Sequence, residues 1–272
     1  MRARDELRQA ELAMRIGADI RLTPAEEEAN RRLMRLKQEE IERTRDYFPV
    51  AQSFLKSKTR RLIDQSPILE IMKRLPKGGI LHVHGIAMGD FRWLVKRATY
   101  LENCYIFQGR EGSSRNGAMR ISPQSPGEGW RLVSDLRKAA DNVEEFDEAL
   151  LRSVTLGEED LGQPDIWAEF SSCFIRSSGL IMSEIFDGFC RKLLRDAIAE
   201  NVQYIETRSD IGSPEIIAEI KRDHPEFMVK QIFSAVRNAS RERLAGLLAR
   251  ALDMRAEDPS LFIGFDLVAE ED

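Results

Sequence analysis

The stretch "FMVKQIFSAVRNASRERLAGLLARALDMRAEDPSLFIGFDLV", residues 227–268, decides the fold class. It begins with a short apolar run, continues through a charged segment with leucines at helical spacing, and ends with a second apolar run. This alternation predicts a strand, a helix and a second strand. Two strands joined through a helix lie parallel in one sheet, because such a crossover returns the chain to the same end. The stretch therefore predicts a βαβ unit.

The same rhythm extends toward the N-terminus. Residues 79–84, "GILHVH", and 202–210, "VQYIETRSD", are predicted strands, and helical patterns such as that of residues 180–201 lie between them. Four predicted strands thus alternate with helices. The last of them, "LFIGFDLV", is apolar nearly throughout, as are strands that are covered on both faces. The predicted fold class is α/β with a parallel sheet.

The first ~70 residues have a helical pattern. Thr23 is the predicted N-cap of a long helix, Pro24 takes its first position, and Glu26 completes a capping box. Most of that helix is charged, so its apolar face is a narrow stripe. The stripe consists of Leu33, Leu36 and Ile41. The helix is therefore either a solvated arm or a surface through which two copies form a homodimer.

The middle of the chain is less regular. Residues 108–130 are rich in Gly, Ser and Pro, which predicts a loop or a small insertion with little core of its own. Residues 134–152 are predicted to form a helix.

The composition excludes several classes of partner. The chain has 272 residues, and Lys+Arg 41 against Asp+Glu 46 gives a net charge of −5 without a dense basic block. This predicts no nucleic-acid partner. No apolar run approaches the ~20 residues that cross a bilayer, which predicts no membrane partner. The first 20 residues are charged throughout and lack the apolar core of a signal peptide, so we expect a cytoplasmic protein if Met1 is the true start.

The cysteines indicate neither a disulfide framework nor a cysteine-based zinc site. Cys104, Cys173 and Cys190 are odd in number and widely spaced. Cys173 and Cys190 lie in apolar contexts that are typical of small buried hydrophobic residues.

The "HVH" of residues 82–84 is the candidate for chemistry. Side chains two apart in a strand share a face, so His82 and His84 could give two nitrogens to one zinc ion. They lie at the carboxyl end of a predicted parallel strand, where βα folds keep their active sites. H-x-H also occurs by chance, and a zinc site needs a further protein ligand. The remaining histidine, His224, precedes a strand, so we expect it in a surface loop.

Six blocks in order carry a family resemblance: "LPKGGILHVHGIAM", "WLVKRATYLENCYIF", "DIWAEFSSCFI", "YIETRSD", "IFSAVR" and "FIGFDLVAEED". Together with the N-terminal "LTPAEEEANRRLM", they resemble the adenosine-deaminase-related growth factor family of the adenosine deaminase superfamily. The resemblance implies a (β/α)8 TIM-type barrel that is incomplete here, with its first four strands. It implies a helical arm over residues 1–75, the barrel half over 76–272 and a small insertion at about 101–165.

The resemblance also implies zinc-dependent hydrolytic deamination of adenosine to inosine and ammonia, with one zinc ion per complete barrel that binds weakly or not at all to this chain alone. His82 and His84 match the first two zinc ligands, and Trp167 resembles a tryptophan that lines the nucleoside pocket. The third zinc His, the catalytic Glu and the Asp ligand follow strands five and eight in the family. We therefore expect no catalytic residue in this chain, and these groups beyond Asp272. The family resemblance suggests secretion.

Several positions depart from the family pattern. Gly85 stands where many members have an Asp, Ala235 and Val236 replace an acidic residue and a His, and Ala269 and Glu270 replace a Gly and a His. Each loss of a polar group should weaken binding of a nucleoside. The alternative hypothesis is therefore a catalytically inactive relative that acts as a binding or dimerisation module.

Overall fold

The computed structural model describes residues 2–47, 57–162 and 164–269. The chain divides into a helical unit, Met1–Met72, and an α/β unit, Lys73–Asp272. The described helices are α1 (Arg2–Met14), α2 (Pro24–Arg43), α3 (Ser57–Asp64), α4 (Pro67–Arg74), α5 (Gly85–Met88), α6 (Phe91–Ala98), α7 (Val133–Lys138), α8 (Val143–Arg152), α9 (Ile166–Ile181), α10 (Phe186–Ala199), α11 (Pro214–Asp223) and α12 (Arg241–Glu257). Short 3-10 helices cover Arg45–Tyr47 and Glu158–Gly162. The strands are β1 (Gly78–Val83), β2 (Cys104–Phe107), β3 (Met119–Ile121), β4 (Trp130–Leu132), β5 (Val202–Thr207), β6 (Met228–Val236) and β7 (Phe262–Val268).

Helix α2 begins as the sequence predicts. The amide N–H of Glu26 donates to the Thr23 hydroxyl at 3.3 Å, and the Thr23 amide N–H donates to the Glu26 carboxylate at 2.7 Å. This reciprocal pair is the predicted capping box. The predicted stripe is also present, because Leu33, Leu36 and Ile41 are half-buried on a helix whose other faces are largely exposed.

The four predicted strands form one parallel sheet in the order β1-β5-β6-β7. Helices α10 and α11 cover one face of it and close an apolar core. Residues of that core from both layers are fully or nearly fully buried. They include Leu194, Ile205, Ile211, Ile216, Ile220 and Val229. The α/β prediction with a parallel sheet is therefore confirmed.

The loop predicted over residues 108–130 is wrong in part. The chain forms a second, antiparallel sheet with the order β3-β2-β4, and β3 and the start of β4 lie in that range. Met119 is buried in a core that also contains Leu94 and Phe189 from the helices around it. The segment therefore has no core of its own and packs into a core formed by other elements. Local composition does not reveal such packing.

Three predicted element boundaries are also corrected. The helix predicted over 134–152 is two helices, because the Asn142 side chain accepts from the backbone of Glu144 and Glu145 and starts α8 afresh. The helix predicted over 180–201 contains a break between α9 and α10. Strand β1 ends at Val83, so His84 caps the short helix α5 and does not lie in the strand.

The three cysteines are free thiols, in agreement with the absence of a disulfide pattern. Burial raises the pKa of Cys104 and of Cys190 to about 12, so both stay protonated near neutral pH. Cys173 is only half-buried.

Candidate active site at the carboxyl ends of the parallel strands

The two histidines of β1 and α5 lie close together. His82 is one residue from the end of β1, and His84 is the N-cap of α5. Their ring centroids are 5.7 Å apart with an interplanar angle of 54°. The pair therefore lies at the carboxyl end of the parallel sheet, where such folds hold their ligands.

The environment of His84 favours its neutral form. Burial lowers the pKa of His84 most, and the nearby His82 and Arg208 lower it further, whereas Asp266 raises it. A neutral imidazole offers an unprotonated nitrogen to a metal. Because one ring is half-buried beside the other, the pair is suited to present two nitrogens to one cation.

The fit to a zinc ion is partial. Two imidazoles supply two of the three or four protein ligands that zinc takes. No group of three or more His, Cys, Asp or Glu side chains suited to a metal occurs within residues 2–47, 57–162 and 164–269. Asp266 of β7 faces the same region, but its carboxylate accepts from Nε of Arg208 at 3.1 Å. The described residues therefore fit one half of a zinc site.

An apolar cavity of about 780 Å³ opens beside His84. The α9 residues that line it are Trp167, Phe170, Ser171 and Phe174. The opposite wall consists of Val236, Val268 and Ala269, and His84 completes the lining. Predicted residues His84 and Trp167 thus meet in one cavity, although they are far apart in sequence.

The aromatic side chains of α9 form an edge-to-face ladder. The Trp167 and Phe170 rings are 5.7 Å apart at 88°, and the Phe170 and Phe174 rings are 5.0 Å apart at 80°. Trp167 is 58% exposed, so much of its ring is accessible to a ligand. Planar aromatic surfaces of this kind suit a flat heterocycle. Sequence analysis did not identify Phe170 and Phe174, although their helical spacing from Trp167 was a usable signal.

Gly85, the residue after His84, is buried, and neighbouring side chains fill the space around its Cα atom. A Cβ atom at this position would lie 2.9 Å from both Ser209 Oγ and Thr207 Oγ1. Thr207 and Ser209 thus occupy the space into which any side chain at position 85 would extend. The Gly that stands where the resemblance predicts an Asp is therefore surrounded by closely packed polar side chains.

Of the other described positions that depart from the family pattern, one is buried in the core and two line the cavity. Ala235 is buried, whereas Val236 is exposed and lines the cavity. Ala269 also lines the cavity and has a positive φ of 88°, a conformation that a Gly adopts without strain. Glu270 lies outside the described residues.

His224 lies away from this site, in agreement with its prediction as a loop residue. It caps the carboxyl end of α11, before β6, and its Nδ1 is 3.7 Å from a Glu226 carboxylate oxygen. It therefore belongs to the amino-terminal side of the parallel sheet.

Residues 1–72 match the family described as Adenosine/AMP deaminase N-terminal. The chain is 31% identical to Adenosine deaminase 2-A of Danio rerio over 298 residues, which cover 100% of this chain and 58% of that protein. It is 31% identical to Adenosine deaminase 2 of Homo sapiens over 292 residues, covering 96% of this chain and 57% of that protein. An Adenosine deaminase of Aedes albopictus is 28% identical over 298 residues, covering 99% of this chain and 55% of that protein.

The chain therefore spans a little more than half the length of these relatives. None of the helices in the described ranges has the length and apolar character that a membrane crossing requires.

Proposed function

The chain belongs to the adenosine deaminase superfamily, as the N-terminal half of a growth-factor-related member, and from this premise we propose that it carries half of a zinc-dependent deaminase site. The substrate is adenosine or a related purine nucleoside, which is hydrolysed to inosine and ammonia. The four parallel strands are the first half of a (β/α)8 barrel. The third zinc His, the proton-transferring Glu and the Asp ligand come from strands five to eight of that barrel.

The convergence of His82, His84 and Trp167 at one end of the sheet is the observation that supports this proposal. In this proposal both imidazoles would hold zinc, which would supply Lewis-acid activation of water near neutral pH. The faces of Trp167 and Phe170 contact the purine ring and fix its plane. Val236 and Val268 exclude bulk water from the opposite side of the ring, which strengthens polar interactions inside the cavity.

The proposal also includes the arrangement of the chain. Residues 1–75 form an arm whose half-buried stripe on α2 is shared between two copies, residues 76–272 form the barrel half, and residues 101–165 are its insertion. Secretion is part of the proposal, on the family resemblance alone. Light scattering of purified protein tests the arm: replacing Leu33 and Leu36 by Ser should convert a dimer to a monomer, and an unchanged mass would contradict it.

Joining this chain to the C-terminal part of the Danio rerio relative tests the catalytic proposal. We expect the fusion to release inosine from adenosine, and we expect the His82→Ala and His84→Ala fusions to lose activity by several orders of magnitude. The 272-residue chain by itself should be inactive. Deamination by that chain at the rate of the fusion would contradict the claim that distal ligands are required.

A second candidate function is binding without catalysis. The wall formed by Val236, Val268 and Ala269 offers a nucleoside no polar side chain, and Gly85 offers none either. In this reading the cavity holds a purine and the ancestral reaction is lost. The same fusion distinguishes the two candidates: an inactive fusion that still quenches Trp167 fluorescence on addition of adenosine would favour binding alone, with Trp167→Phe as the control.

A further inference from the structure

Strand β1, which carries His82, pairs irregularly with β5 around that residue. β1 pairs with β5 in regular fashion at Ile80, opposite Ile205, and again at Val83, opposite Thr207, so β1 has one extra residue in this interval. Leu81 and His82 therefore lie in a bulge without a regular ladder partner. Bulges aim side chains in a direction that a regular strand does not permit, and they need other bonds to fix them.

We propose that Arg208 is a positioning residue that fixes this bulge and thereby holds the His82–His84 pair in a geometry ready for a metal. The inference rests on the proposed function, because it concerns how the zinc ligands of that function are oriented. Arg208 follows β5 directly, and nothing in the sequence-based argument assigned it a role.

The contacts of Arg208 bracket His82 on both sides. Its Nη1 donates to the Leu81 carbonyl at 2.6 Å, and its own backbone N–H donates to the Val83 carbonyl at 2.8 Å. These carbonyls belong to the residues immediately before and after His82. Holding the residue on each side restrains the direction in which the His82 side chain leaves the backbone.

The guanidinium is itself held in place. Its Nε donates to the Asp266 carboxylate at 3.1 Å, which connects β1 and β5 to β7 across the sheet. The Arg208 side chain is 12% exposed, so the interaction is partly protected from water. A planar guanidinium can donate in two directions at once, which the single ammonium of a Lys cannot do in a fixed geometry.

A second arginine, one strand along the sheet, makes a comparable pair of bonds to the carbonyls of two adjacent residues, neither of which is next to a histidine. Arg237 follows β6, its Nη2 donates to the Leu267 carbonyl at 3.1 Å, and its backbone N–H donates to the Val268 carbonyl at 3.0 Å. Arg237 is therefore a matched internal control. Replacing it removes an arginine-to-carbonyl bond at the same edge of the sheet but leaves the contacts around His82 intact.

The position and the charge of the Arg208 guanidinium have opposite effects on metal binding by the two imidazoles. A positive charge beside the two imidazoles repels a cation, so loss of charge alone would strengthen binding. Loss of the orientation of the metal ligands weakens metal binding. Residues that orient metal ligands typically contribute about 10–100-fold to metal affinity. Arg208→Lys keeps the positive charge and removes the planar guanidinium that donates in two directions. Arg208→Gln removes both the charge and the guanidinium. The two variants together separate the two effects.

The experiment is calorimetric titration of the purified, tag-free 272-residue chain with Zn²⁺. We expect Arg208→Lys to raise the Kd about tenfold, Arg208→Gln to raise it less because it also removes a repelling charge, Asp266→Asn to raise it less than Arg208→Lys, and Arg237→Gln to leave it unchanged. Unfolding in urea shows that each variant is folded. Unchanged affinity in Arg208→Lys, or tighter binding in Arg208→Gln, would overturn the inference.

A second readout distinguishes this inference from the proposed function. If His82→Ala and His84→Ala bind Zn²⁺ as the wild type does, the proposed metal site fails, and amide hydrogen exchange over residues 80–84 then decides the role of Arg208. Faster exchange there in both Arg208 variants, but not in Arg237→Gln, supports positioning. Equal exchange in all of them contradicts it.

Discussion

The two faces of the parallel sheet have opposite character. On β5, Ile205 and Thr207 are fully buried and Ile205 belongs to the core formed with α10 and α11. The alternate residues Tyr204 and Glu206 are half-buried, and the Tyr204 hydroxyl donates to the Glu206 carboxylate at 2.7 Å. Burial, and then this hydrogen bond, raise the pKa of Tyr204 to about 12. One face thus stabilises the sheet, and the other carries its polar groups.

This difference explains how the chain can be stable and still present reactive groups. Apolar burial on the helix-covered face supplies the stability, because burial of apolar surface is the main favourable contribution to folding. Arg208 and Asp266 lie on the other face, where their charges are paired. A change on the covered face should therefore alter unfolding, and a change on the polar face should alter binding.

The largest expected effect comes from the covered face. Ile205→Ala should lower the free energy of unfolding by about 2–5 kcal/mol, because a fully buried side chain leaves a cavity. Leu252→Ala on α12 is the control, since Leu252 is 60% exposed and its loss should change the same quantity by less than about 0.5 kcal/mol. Urea denaturation monitored by circular dichroism measures both, and similar values would contradict the claim that burial of Ile205 stabilises the fold.

The second effect concerns the crowded position next to His84. Gly85→Ala should destabilise the fold by about 1–3 kcal/mol, because its Cβ would overlap Thr207 and Ser209. Gly246→Ala is the matched control, because no atom lies within 4 Å of a Cβ there and α12 should gain about 0.5–1 kcal/mol. Thermal unfolding of the wild type and of both variants measures the two changes in stability. Equal shifts of the two variants would show that position 85 has room for a side chain.

The close approach of position 85 to Thr207 and Ser209 also predicts that the Asp of the family pattern cannot be introduced there without a loss of stability. Gly85→Asp in the active fusion should lower stability at least as much as Gly85→Ala and should not increase deamination. Adding Ser209→Ala removes one of the two overlapping oxygens and should recover part of the lost stability. An active, stable Gly85→Asp fusion would contradict this account of the site.

The smallest effect is on the pH dependence of stability. The hydrogen bond from Arg208, more than any other cause, holds the pKa of Asp266 below its usual value. A carboxylate with a depressed pKa in the folded state stabilises the fold above its unfolded pKa, and this contribution is lost as the pH falls through the folded pKa. Because Asp266 is 35% exposed, the gain should be less than about 1 kcal/mol.

The measurement is urea denaturation of wild type and Asp266→Asn at pH 7 and at successively lower pH down to about 3. The wild type should be the more stable at pH 7, and the difference should shrink as the pH falls. A difference that stays constant over this range would show that ionisation of Asp266 does not stabilise the fold.

Much of the fold could be predicted because its signals are local. The capping box of Thr23 and Glu26, and the alternation of apolar runs with helical segments from residue 202 onward, depend on neighbours in sequence. Boundaries were less predictable, as at Asn142, where one side chain stops a helical pattern and starts another. The strand Met119–Ile121 was missed because its burial depends on residues from distant helices.

The sequence singled out candidate donors for the site, which stay a prediction, and it did not single out the residues that surround them. His82, His84 and Trp167 stood out because their residue types and spacing are chemically informative. Arg208 and Asp266 did not, because arginine and aspartate are common and their pairing across the sheet has no short-range signature. Their location at strand ends was the only available signal.

The sequence by itself predicted the family resemblance, the parallel α/β pattern and the two candidate imidazole donors, since each depends on residue identity and short spacing. The tertiary structure alone decided that Trp167 and His84 line one cavity, that Arg208 bonds to the residues on both sides of His82, and that a Cβ atom at Gly85 would lie 2.9 Å from two side-chain oxygens. Such features depend on how strands and helices distant in sequence approach one another, and close packing sets those distances to within a fraction of an ångström.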